Sequence, residues 1–156
     1  MANKSKNMAT KKAIKQLQKI FDMLGEFGGT IETKNPDNWW KLDLEVEQAD
    51  DTSKDILIGV CKSINGDLLF DPEFSLTLKM DAGKIVEAEL HNCINQTLFG
   101  TTEVDSEGML HGFGLVEKSP ESLRDMFSGF MHNMTELGPY LTDPKKVTQY
   151  DKTLGD

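Results

Sequence analysis

The spacing of apolar residues changes twice along this chain, and each change predicts a different kind of element. Ile14, Leu17, Ile20, Phe21 and Leu24 recur three and four positions apart, the stripe of an amphipathic helix. Thr10 stands where an N-cap belongs, and Gly25 stands where the chain can leave the helix with positive φ. After loop signals at Gly28-Gly29 and Asn35–Asn38, with a short strand expected at 30–33 between them, the period becomes two. Trp40, Leu42, Leu44 and Val46 alternate with Trp39, Lys41, Asp43, Glu45 and Glu47, so one face is expected in a core and the other is acidic. Ile56, Ile58 and Val60 continue the pattern, with Leu57 and Cys61 apolar on the opposite face, as in a central strand.

Further strands are expected at Phe74–Met80 and at the returning segment after Asp81–Lys84. In the latter, Val86, Ala88 and Leu90 should point inward and Glu87, Glu89 and His91 outward. Residues 97–104 read as one more strand. The helical period returns between Ser119 and Leu137. Ser119 is the expected N-cap, Pro120 the first helical position and Gly138-Pro139 the stop. Its stripe of Leu123, Met126, Phe127, Phe130, Met131, Met134 and Leu137 suits a core, and its methionines also suit an adaptable partner groove. The predicted fold is α+β: an antiparallel meander of about five to six strands flanked by an N-terminal and a C-terminal helix. Residues 1–10 are expected to form a disordered basic tail, 11–141 a single domain and 142–156 a polar C-terminal tail.

Charge is divided unevenly. The first nineteen residues carry six lysines and no acid, whereas the rest carries 11 Lys+Arg against 26 Asp+Glu, a net of −15. Such a body is a poor match for nucleic-acid phosphates and a good one for a partner with a basic surface. The lysine-rich N-terminus is the one segment suited to nucleic acid or a membrane surface. No run reaches the roughly 18 apolar residues of a membrane span, and the N-terminus lacks a signal peptide's apolar stretch. Cys61 and Cys93 fall on separate strands without metal-ligand spacing. A disulfide between them would require facing positions on neighbouring strands, so a reduced, cytoplasmic protein is the expectation.

Candidate chemistry concentrates at 65–74, where Asn65-Gly66 is a turn signal and Asp67, Asp71 and Glu73 lie within seven residues. A turn that curls these carboxylates together would hold a cation and support a metal-assisted hydrolase or nuclease. The EF-hand pattern is absent, and Glu87-Ala88-Glu89 lacks the lysine that a nuclease of that kind places on the next strand. His91, His111 and His132 have no ligand spacing, and no nucleophile elbow or phosphate-binding glycine loop occurs. No cofactor is expected. Two adjacent tryptophans on an alternating strand cannot face the same side, which makes Trp39 a candidate recognition residue. The binding residues expected are therefore Asn65, Asp67, Asp71, Glu73, Trp39, Glu87, Glu89 and His91. A basic protein partner is favoured over catalysis.

Asn65-Gly66-Asp67-Leu68 followed by Asp71-Pro72-Glu73-Phe74 resembles the Asn-Gly-Asp-Leu-Met-x-Asp-Pro-Glu-Met signature of a bacterial domain-of-unknown-function family. Its members are common on conjugative elements, plasmids and phages, mostly of Firmicutes. Ile20–Gly25 is similar to that family's opening helix and Asn133–Gly138 to its closing helix, so the resemblance spans about residues 14 to 138. Phe130 stands in place of an expected tryptophan, and Val60-Cys61-Lys62-Ser63 in place of an expected histidine and aromatic pair. The resemblance implies the genetic context of a mobile element and no activity. The acidic body and the lack of a catalytic constellation make an interaction protein with a regulatory or counter-defence role the expectation.

Overall fold

The computed structural model describes residues 7–155. Helix α1 (Lys11–Leu24) begins at Thr10, whose side chain accepts the Ala13 N–H, and ends at Gly25, whose φ of 97° turns the chain out while its N–H bonds the Phe21 carbonyl. Leu17, Ile20, Phe21 and Leu24 are buried, and Lys11, Lys12, Lys15 and Lys19 are exposed, as the stripe predicts. The part of the expected disordered tail at 1–6 lies outside the described residues. Residues 7–9 are not loose: Met8 bridges Glu89, and Ala9 and Asn7 exchange backbone bonds with Ala88 and Leu90.

The strands are β1 (Gly28–Thr33), β2 (Lys41–Ala49), β3 (Ser53–Ile64), β4 (Asp67–Asp81), β5 (Lys84–Thr97), β6 (Gly100–Val104), β7 (Met109–Gly112), β8 (Leu115–Lys118) and β9 (Pro144–Gln149). They form one antiparallel sheet in the order β8-β7-β6-β5-β4-β3-β2-β1-β9. The α+β meander stands, with nine strands among the described residues instead of five to six. The difference has local causes. Residues 97–104 hold a chain reversal at Leu98-Phe99, so the expected single strand is the end of β5 and the start of β6. Segment 109–118 forms a hairpin too short to show a period. Residues 144–149, expected in a polar tail, pair with β1; polar side chains suffice there because an edge strand is held by backbone bonds. Beyond it, the Leu154 and Gly155 N–H groups bond the Val46 and Glu47 carbonyls.

Helix α2 (Leu123–His132) starts at Ser122, whose side chain accepts the Asp125 N–H, not at Ser119, and it runs into one π-helical turn, Asn133–Leu137. Ser119 instead turns back on Glu121 through its hydroxyl. Both helices cover one face of the sheet. Leu42, Leu44, Ile56, Ile58, Phe74, Leu76 and Leu90 meet them in one core, where the Phe74 ring lies 5.2 Å from the rings of both Phe127 and Phe130. Val86 is the exception to the predicted alternation. A register shift at Lys79/Met80 pairs Met80 with Ile85, so Ile85 enters the core and Val86 is exposed. Among the described residues no helix is long and apolar enough to cross a membrane. No helix of the described residues lies over the sheet's other face.

Candidate functional site

The 65–74 segment is a hairpin followed by a bulge. Asn65 and Gly66 have φ of 54° and 84°, the two positive values of a type I′ turn, and the strands leave them with Ile64 opposite Asp67. Cys61 pairs with Phe70 and Gly59 with Glu73, so Asp71 and Pro72 together oppose the single residue Val60. The extra residue reverses the side on which side chains emerge. Asp71 lies on the helix-covered face, beside Val60, Asn133 and Met134, whereas Glu73 points from the open face. Asp67 stays at the exposed hairpin end, about 20 Å along the strand from Glu73 at the usual rise per residue. The three carboxylates therefore do not converge. Among the described residues no group of three His, Cys, Asp or Glu is placed to hold a metal ion.

Glu73 has different company. It stands opposite Gly59, and Gly59 stands opposite Asp43, so the two acids flank a residue without a side chain. A Cβ on Gly59 would lie 2.4 Å from the Pro72 carbonyl oxygen, which restricts this position to glycine. Glu45 and Glu47 continue the same face of β2. Burial pushes the Glu45 carboxyl up to about 8, reinforced by a hydrogen bond with Asp43 and by the charges of Asp43, Glu73 and Glu47. Burial likewise raises Glu73 to about 7, with Asp43 and Glu47 adding to it. At neutral pH Glu45 is largely protonated and donates its hydrogen bond to Asp43. Among the described residues none of these four carboxylates forms a salt bridge.

One rim of this patch is built by the C-terminal segment. Tyr150 bonds the Gly28 carbonyl through its N–H and donates its hydroxyl to Asp43 at 2.6 Å. That bond satisfies Asp43, which is 6% exposed, and burial followed by the bond to Asp43 raises the tyrosine's own pKa. A cavity of about 390 Å³ lies elsewhere, under the end of α1. Beside Glu45 and Tyr150, residues 151–154 enclose another of about 340 Å³. Cys61 lies buried on the open face, its thiol pushed up to about 11 by burial first and then by Asp43. Cys93 is buried in the core, on β5 and not on a strand neighbouring β3, so the two cysteines are free and apart.

The remaining expected residues divide between the two sides. Glu87, Glu89 and His91 are on the open face of β5. The Thr77 hydroxyl donates to Asp55 at 2.7 Å, so its contact with His91 Nε2 at 2.7 Å takes a proton from the imidazole. Trp39 is on the helix side, half-buried, with its ring edge-on to Tyr140 at 6.1 Å. Trp40 is half-buried as well, and its carbonyl accepts the Tyr140 hydroxyl. With Asp71, Asn133 and Met134 these aromatics line a cavity of about 520 Å³. Sequence reasoning placed Asp43, Glu45 and Glu47 on an acidic face without singling them out, and it missed Tyr150. Gly59 inside an otherwise apolar strand was the available signal for the close approach of Asp43 and Glu73.

Comparison with protein-family models, with curated proteins and with solved structures found no match to this chain.

Proposed function

We propose that this protein is a binding module that docks a basic surface of a partner protein on its open sheet face. The observation that carries this reading is the cluster of Asp43, Glu45, Glu47 and Glu73 on a face that no helix of the described residues covers, with no cation among the described residues paired to it. Burial, with the neighbouring acids adding to it, raises Glu45 and Glu73 to about 8 and about 7, so the free protein holds protons there that ordinary surface carboxylates would have released. A lysine or arginine brought in by a partner lowers both pKa values, and the protons leave as the partner binds. The net charge of −15 outside the first nineteen residues steers such a partner toward the protein. Glu87, Glu89 and His91 extend the same face toward β5. The family resemblance supports reading it as a cytoplasmic protein of a mobile element, with a regulatory or counter-defence role.

The test is affinity capture from host lysate at moderate salt, with the Glu45→Gln/Glu73→Gln double variant in parallel. The expected result is a basic protein retained by the wild type and lost by the double variant. Isothermal titration of the captured protein in buffers of different ionisation enthalpy should then show proton release near neutral pH. Equal capture by both forms, or binding without proton release, defeats the proposal.

A further inference from the structure

On the other side of the sheet, the segments that carry the sequence signature meet around a groove. Asp71, from the bulge in β4, and Asn133 with Met134, from the π-helical turn, line its middle. Two cavities, of about 520 and about 380 Å³, adjoin there and share Val60, Asp71, Asn133 and Met134. At one end stand Trp39, Trp40 and Tyr140; at the other, Met126 and Phe130 form an apolar floor beneath Glu121 and Asp125. The size suits a few residues of extended peptide.

We propose that this groove binds an extended segment of a partner protein in which arginine or lysine alternates with apolar residues. Charge and shape both select that occupant. Asp71, Glu121 and Asp125 face the groove and make no ion pair among the described residues, so it is an anionic channel with an apolar floor. An acidic ligand is repelled, and a neutral apolar one strips water from Asp71 without replacing it. A guanidinium beside Asp71 satisfies the carboxylate, and tryptophan faces within reach add a cation–π contact. The chain already shows that affinity: the Lys62 ammonium lies 6.0 Å above the Trp40 ring, held from outside by Asp37 at 3.4 Å. An incoming cation at that end takes the place of Lys62. The π-helical turn adds a second element, since the Asn133 side chain has no hydrogen-bond partner among the described residues and offers its amide to a peptide backbone. The inference goes beyond the acidic open face and does not depend on it.

Trp39 and Trp40 are the only tryptophans of the chain and both line the groove, so intrinsic fluorescence reports on it directly. The probe is the peptide acetyl-Arg-Leu-Arg-Leu-amide, with acetyl-Gln-Leu-Gln-Leu-amide as its neutral counterpart. The full-length protein should show a saturable emission change with the arginine peptide, with affinity about tenfold better than for the glutamine peptide. Asp71→Asn should weaken the arginine peptide by about tenfold, and Asn133→Ala, on the opposite wall, should weaken both peptides. Both residues are exposed, and retention of the far-ultraviolet spectrum checks the fold of each variant. Glu45→Gln, on the other side of the sheet, should leave the response unchanged. The proposal is overturned by a non-saturable response, by equal affinity for the two peptides, or by a loss with Glu45→Gln matching that of Asp71→Asn. Should Asp71→Asn fail to fold, the peptide comparison and Asn133→Ala still decide the matter.

Discussion

Strands β2, β3 and β4 place two adjacent cross-strand rows side by side, Leu44-Ile58-Phe74 on the helix face and Asp43-Gly59-Glu73 on the open face. The backbone is the same, yet the two rows are under opposite constraints. In the first, every side chain is at most 1% exposed and the residues differ only in how they fill volume. In the second, an acid, a gap and an acid crowd charge onto a surface that no helix of the described residues covers. The first row holds the sheet to the helices. The second carries an electrostatic cost that folding alone does not relieve, which is why it reads as a place for something else to bind.

The largest expected effect comes from breaking the helix-side row. Phe74→Ala removes a ring fully enclosed between Phe127 and Phe130, and should cost about 3–5 kcal/mol in urea unfolding. A loss well under that range would mean that the two phenylalanines of α2 close over the space. Next comes the hydrogen bond by which the C-terminal segment holds the open-face row. Tyr150→Phe leaves Asp43 buried without its hydroxyl donor and should cost about 1.5–3 kcal/mol at neutral pH. The same unfolding experiment measures it, and an unchanged midpoint would show that water takes over the hydroxyl's role.

The helix-side row was legible in the sequence because burial imposes a period. The alternation from Leu42 to Val46 and from Ile56 to Val60, and the helical stripe from Leu17 to Leu24, all appear where the spacing puts them. The open-face cluster was only half legible. Alternation alone puts Asp43 and Glu45 on one face, but the pairing of Glu73 with Gly59 depends on a bulge, and one inserted residue is invisible to a period-two count. The same limit misassigned Val86, and it made Asp67, Asp71 and Glu73 look like one group when they serve three places. Tyr150 was out of reach for another reason. It sits in a polar segment whose pairing with β1 is made by backbone groups across more than a hundred residues of chain, so no local pattern marks it.

The smallest expected effect is also the one that separates the two faces most cleanly, because its sign depends on pH. Glu45 titrates near its usual 4.5 in the unfolded chain and near 8 in the folded protein, first through burial and then through Asp43. Between those values the folded state holds the extra proton, so stability is fully present below pH 4.5 and is lost as pH rises through 8. Glutamine keeps the hydrogen-bonding shape of the protonated acid and cannot ionise. Glu45→Gln should therefore match the wild type near about pH 5 and exceed it by about 1–2 kcal/mol near about pH 9, a figure reduced for the part of the side chain still in water. Thermal unfolding at the two pH values measures the difference. Substitutions in the buried row should shift stability equally at both, since none of its residues titrates. A Glu45→Gln effect independent of pH would place the carboxyl in ordinary solvent and remove the electrostatic cost from the open face.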